Sequence, residues 1–130
     1  MKILDNNNNL LAVVIKFDQI DSQRDFYTEN NLEMQLGSFN LSKGEIISNH
    51  YHLTNIRKIS VTAEVIVVLE GEILVKIYDN KNKFIKSVNL KPKDSILLYK
   101  GGHGIEILKD AKFIEAKQGP YDINTDKEYF

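Results

Sequence analysis

Between Ile73 and Tyr78 the side chains alternate with a period of two: Ile73, Val75 and Ile77 on one side, Leu74, Lys76 and Tyr78 on the other. Successive side chains of an extended strand point to opposite faces, so this pattern fits a strand with one buried face. Asp79 to Lys83, rich in Asn and Lys, supplies a turn before Phe84 to Val88, and the two runs read as a hairpin. Similar short runs, bounded by Gly, Pro, Asn or Asp, occur at Leu10 to Phe17, Leu32 to Phe39, Val65 to Leu69, Ser95 to Tyr99, Gly104 to Leu108 and Phe113 to Lys117. Val61 to Leu69 is rich in β-branched residues, which suit a pleated, packed surface better than a helix. About eight strands and no convincing amphipathic helix predict an antiparallel all-β sandwich or barrel.

Two segments stand outside this pattern. Residues 18 to 31 are polar and carry a faint capping signal, Ser22 followed by Asp25, consistent with one helical turn or an excursion. The tail from Gly119 to Phe130 opens on a Gly-Pro break and mixes acidic with aromatic residues, the pattern of a disordered end or of a segment that packs on a partner subunit. With 130 residues, no linker and no internal repeat, the chain reads as one domain, residues 1–130.

Composition narrows the chemistry. The absence of Cys excludes thiol nucleophiles, disulfides, zinc fingers and Cys-ligated iron–sulfur clusters. Three imidazoles remain: His50, His52 and His103. The near-balance of 17 Lys and Arg against 18 Asp and Glu argues against a nucleic-acid protein, which normally displays a basic excess. No apolar stretch approaches membrane-spanning length, and the start of the chain lacks the pattern of a signal peptide. The expectation is a cytoplasmic protein without a membrane partner, in which the sequon at Asn40 is idle.

The informative stretch runs from Gly44 to Gly71. On an extended strand His50 and His52 share a face, and two neutral imidazoles converging on one point are a start for a metal site. On the next strand Glu64 shares a face with Ile66 and Val68, so a carboxylate can be aimed at the same point. His103 follows a Gly101-Gly102 turn that lets the backbone come close.

These residues resemble the cupin superfamily. Its first motif is a Gly, five residues, His-x-His, a short spacer, Glu, six residues and Gly; here Gly44, His50-Tyr51-His52, Glu64 and Gly71 match it. Pro92-Lys93-Asp94 and Gly101-Gly102-His103 look like the two ends of its second motif. The sequence departs from the pattern in three ways. Eleven residues, Leu53 to Ala63, replace a spacer of three or four; Lys93 stands where the turn has Gly; and the Pro before the last His and the Asn after it are absent. The resemblance implies a double-stranded β-helix, the cupin jelly-roll barrel, with its core over about residues 32–118. It implies too a divalent metal, Fe, Mn, Zn or Ni, held by His50, His52, Glu64 and His103. Such an imidazole and carboxylate set leaves positions open for water or substrate.

Two functions follow from that resemblance. One is a metal-dependent enzyme of the oxygenase, isomerase or epimerase class acting on a small polar molecule, a carbohydrate or organic acid, with Glu64 completing the ligand set or acting as a base. The stretch from Gly101 to Tyr121 is similar to small bacterial cupins associated with cell-surface polysaccharide pathways. The other is a non-enzymatic barrel that binds or senses the same kind of ligand. For Glu64 a strand-end salt bridge is an equal alternative. Arg57, in the long spacer beside Lys58, presents a planar fork suited to an acidic ligand at the barrel mouth, with a solvated loop charge as its plain alternative. Tyr99 and Lys100 are placed to line that mouth. Tyr51 points outward, and Glu106 and Glu115 read as ordinary strand carboxylates. Cupins pair through strand edges, so the expected assembly is a homodimer.

Overall fold

The computed structural model describes residues 1–122 and 124–130 and is all-β, with one 3-10 turn, Phe17–Gln19, as the only helical element among them. Its strands are β1 (Lys2–Leu4), β2 (Leu10–Ile15), β3 (Arg24–Phe26), β4 (Gly37–Phe39), β5 (Glu64–Tyr78), β6 (Phe84–Leu90), β7 (Ser95–Leu98) and β8 (Gly102–Lys117). All pairings are antiparallel. Six strands form the main sheet in the order β1-β2-β7-β5-β6, with β8 also on β5, while β3 and β4 form a separate ribbon. No helix among the described residues is long and apolar enough to cross a membrane.

β5 organises the molecule. On one side its first half pairs with β7, Glu64 opposite Leu98, and its second half pairs with β6, Ile73 opposite Leu90. Along its other side β8 pairs from Glu64 opposite Lys117 to Tyr78 opposite Gly102. The hairpin read from the period-two pattern is the β5–β6 pair. Glu70-Gly71-Glu72, whose residue types suit a tight turn, is instead a bend inside one continuous strand, and the two runs expected at residues 104–108 and 113–117 are likewise one strand, β8. Register shifts between Val68 and Ile73 accommodate that bend.

Gly71 explains why the bend lies there. Its φ is +77°, and a Cβ at this position would stand 2.0 Å from the carbonyl oxygen of Asp110 on β8. Only a residue without a side chain lets the two backbones approach this closely. Beyond the bend the two halves of the β5–β8 ribbon face each other across one apolar layer. Ile66 and Val68 from the first half of β5, with Ile96 and Leu98 of its neighbour β7, share one buried cluster with Ile73, Val75 and Ile77 from the second half and Val88 and Leu90 of its neighbour β6. Burying such a side chain contributes about 1.5–3 kcal/mol relative to leaving it exposed.

A second apolar cluster covers the outer face, where Val13, Ala63, Leu97 and Tyr99 pack under Leu32, Met34 and Leu36. This shortens the strand expected at Leu32 to Phe39 to β4 alone. Leu32, Met34 and Leu36 serve as a cover, and their backbone turns locally, with the Leu32 amide donating to Glu29 at 3.0 Å. The faint capping signal at Ser22 starts no helix; β3 begins at Arg24. Asp94 ties the Pro92 turn to β2: it accepts from Lys16 Nζ at 2.7 Å and from the amides of Lys91 at 3.0 Å and Phe17 at 3.3 Å. In the same turn Lys93 adopts φ +77°, the conformation for which the resembled motif uses glycine.

Residues 40–63 contain no strand. They expose Ile46 (86%), Tyr51 (83%), Leu53 (75%) and Ile56 (98%). The tail, expected to be disordered or to lie on a partner, packs on its own chain: Asp126 pairs with Lys117, and Tyr78 meets Phe130 edge-on with ring centroids 5.2 Å apart.

Candidate functional site: a carboxylate and an imidazole at one cavity

Glu64 opens β5 and His103 lies at the start of β8, so the antiparallel ladder places them at opposite ends of the ribbon. Laid flat, a strand from residue 64 to residue 77, opposite His103, would run roughly 40 Å. Because the ribbon folds back at Gly71, His103 Nε2 reaches Glu64 Oε2 at 3.1 Å. Glu64 is on the face of Ile66 and Val68, and His103 lies opposite Ile77, so both belong to the inner face.

The hydrogen bond from His103 is the largest influence on Glu64 and holds its carboxyl below the usual value of 4.5; burial opposes this, and Lys117 and Lys127 reinforce it. Glu64 is therefore an ionised acceptor at neutral pH. In the neutral tautomer that donates through Nε2, Nδ1 is the free acceptor nitrogen of the His103 ring. The pair borders a cavity of about 460 Å³ whose wall also includes Ile105, Glu115 and tail residues Asp126 to Phe130. Another concavity, about 540 Å³, lies elsewhere, between Arg24, Phe39 and the 41–50 segment. Its lining holds Glu45 and His50, but Glu45 accepts from Gln23 and the Ser42 amide while His50 Nδ1 lies by the Ser48 carbonyl, and no ion pair joins the two, so chemistry is better served by the Glu64–His103 cavity.

The four residues expected to gather round a metal fall into two pairs. Glu64 and His103 meet. His50 and His52 lie on the exposed 40–63 segment with ring centroids 5.4 Å apart, and His50 Nδ1 is 2.9 Å from the carbonyl oxygen of Ser48. Among the described residues no group of three or more His, Cys, Asp or Glu side chains is arranged to hold a metal ion. The expected strand carrying His50 and His52 is absent here, because the segment pairs with no sheet edge.

The other candidates separate in the same way. Arg57 is exposed on the 40–63 segment. Tyr99, expected at the mouth, is 8% exposed in the outer apolar cluster, and its hydroxyl accepts from the Glu33 amide at 3.4 Å. Glu106 is a strand carboxylate paired with Lys76 at 2.9 Å, whereas Glu115 lines the cavity. The tail residues at the cavity escaped the sequence reading. The one signal for Glu115 was parity, since its partner across the ladder is the inward Ile66.

The fold and this pair define an all-β protein with a carboxylate–imidazole site between the ends of one bent ribbon. Comparison with protein-family models, with curated proteins and with solved structures yields no match.

Proposed function

We propose that the protein is a cupin-like binding barrel that takes a small polar molecule, a carbohydrate in preference to an organic acid, at the Glu64–His103 cavity. The observation that carries this reading is the meeting of the two ends of the β5–β8 ribbon: a fold that brings an ionised carboxylate 3.1 Å from an imidazole beside a cavity of ligand size holds a ready acceptor and base. Ionised Glu64 accepts hydrogen bonds only, which suits ligand hydroxyls and repels a ligand carboxylate. In an enzyme of the isomerase or epimerase class, Glu64 would orient His103 and stabilise its protonated form while Nδ1 takes and returns a proton.

The test is a carbohydrate and organic-acid panel read by isothermal titration calorimetry, with the imidazole NMR signals of His103 locating the bound ligand in the unsubstituted protein. Glu64→Gln and His103→Gln are expected to abolish binding, and His50→Ala with His52→Ala to retain it. Unchanged affinity in both cavity variants would end the reading. Binding without conversion of the ligand selects the sensing role over the enzyme.

A second reading keeps the metal. Glu64 and His103 offer two donors, fewer than the three or four that hold a catalytic divalent ion, so the arrangement as it stands does not fit one. Two features favour a closed form: the 40–63 segment exposes Ile46, Tyr51, Leu53 and Ile56, and β8 pairs on one edge only among the described residues. Docking that segment on β8 would complete a jelly-roll barrel, with His50, His52, Glu64 and His103 as ligands and Lewis-acid activation as the metal's contribution. Equal and negligible uptake of Fe(II), Mn(II), Zn and Ni by the untagged protein and by its His50→Ala, His52→Ala double variant, measured by elemental analysis, removes this reading. The same open edge is the place for the homodimer, for which a doubled mass in sedimentation is the expected result.

A further inference from the structure

We infer that residues Asp126 to Phe130 form a strap that closes over the Glu64–His103 cavity and supplies one of its walls, so that access to His103 is set by this segment. This rests on the reading of that cavity as the ligand site.

The strap is fastened at two points. At its near end, Asp126 pairs with Lys117 on β8; their side chains are only 8% and 18% exposed, and Lys117 also lies over the Tyr121 ring, 4.9 Å from its centroid. At its far end the Phe130 ring rests on Gly102 and meets Tyr78 edge-on. Between the fastenings, Lys127, Glu128 and Tyr129 border the same cavity as Glu64 and His103. Lys127 is also among the cations that lower the pKa of Glu64, which places its charge within range of the pair.

The two fastenings differ in kind. The ion pair is largely removed from solvent and therefore persistent, whereas Phe130 keeps 64% of its surface exposed. A shallow aromatic seat beside a firm ionic one makes a hinge and a latch: the strap pivots at Asp126 and releases at Phe130. Gly102 is what makes the latch possible. A Cβ there would lie 2.7 Å from Phe130 Cζ and 2.8 Å from Cε1, with its next neighbour, Tyr78 Cβ, at an ordinary 3.6 Å. With the strap in place the His103 side chain is 32% exposed; when the latch releases, it opens further to solvent. When it closes, Lys127 and Tyr129 face a ligand already seated.

The experiment is the rate of His103 modification by diethyl pyrocarbonate, followed by peptide mass spectrometry in the full chain. His50 and His52 are exposed whether the strap is open or closed and act as internal references. Phe130→Ala removes the latch and Gly102→Ala displaces it from the other side. In both, His103 is expected to react several-fold faster while His50 and His52 keep their rates, and Phe130→Tyr is expected to restore the slow rate. An unchanged His103 rate in both variants, at an unchanged melting temperature, overturns the strap. Because this readout needs no ligand, the strap can fail while carbohydrate binding survives, and the reverse outcome is equally visible. Phe130→Ala removes a largely exposed side chain and so keeps the test valid if Gly102→Ala disturbs the sheet.

Discussion

The β5–β8 ribbon and the 40–63 segment start from similar materials and end differently. Each carries β-branched residues, a glycine at positive φ and two of the four side chains expected at a metal. In the ribbon Ile66 is fully buried, and Gly71 sits where a Cβ would strike the Asp110 carbonyl. In the segment Ile56 is 98% exposed, and Gly44, at φ +95°, has nothing within 4 Å of its missing Cβ. The difference is a partner strand. A ribbon that folds back on itself makes its own second layer, while a lone extended segment must find an edge.

Substitution at the two glycines tests this contrast most severely. Gly71→Val forces a β-branched residue into a left-handed backbone and against a carbonyl, with an expected loss on the order of 4 kcal/mol in urea unfolding. Gly44→Val meets only the backbone strain, about 1–2 kcal/mol, and equal losses at the two sites would erase the distinction. In the apolar layer, Ile66→Ala is expected to cost about 2–5 kcal/mol, cavity included. Ile56→Ala is expected to stay within about 0.5 kcal/mol, because its side chain is already in water.

Backbone hydrogen bonding separates the regions at a smaller energetic scale. Trypsin is expected to cut at Lys43, Arg57 and Lys58 before it reaches Lys109 or Lys112 inside β8, as judged by peptide mapping over time. Earlier cleavage in β8 would show that the ribbon is the looser element. The smallest effect lies in the acid dependence of stability. Glu64 has a lowered pKa in the folded protein, so its contribution is complete above its ordinary value of 4.5 and is lost as the pH falls through the lowered value. His103→Gln is expected to move the Glu64 carboxyl back toward 4.5 in an NMR titration, and His52→Gln to leave it where it is. A shift with His52→Gln instead would bring the segment back to the cavity.

Much of the strand content was legible because it rests on local pattern. The hairpin at Ile73 to Leu90 follows from period-two alternation and an Asn-rich turn, and strand parity alone put Glu64 on the face of Ile66. Parity does not say how a ribbon bends. Gly71 reads equally well as a turn between strands or as a bend within one, and only the long contact with β8 distinguishes them. The same limit applies to His50 and His52, whose spacing is that of a strand but whose segment has no partner edge here. Tyr99 shows the reverse failure: its neighbours in sequence placed it at a mouth, and the cover formed by Leu32, Met34 and Leu36, remote in sequence, buried it.

By itself the amino-acid sequence determined the alphabet of this protein: antiparallel strands, no thiol chemistry, and three imidazoles with a few inward carboxylates as the available reactive groups. Local periodicity and residue type decide such things, and both are written along the chain. Tertiary structure alone decided which of those groups meet. Glu64 and His103 stand 39 positions apart in sequence and at opposite ends of one ladder. They become neighbours only because Gly71 lets β5 and β8 fold together over a shared apolar layer.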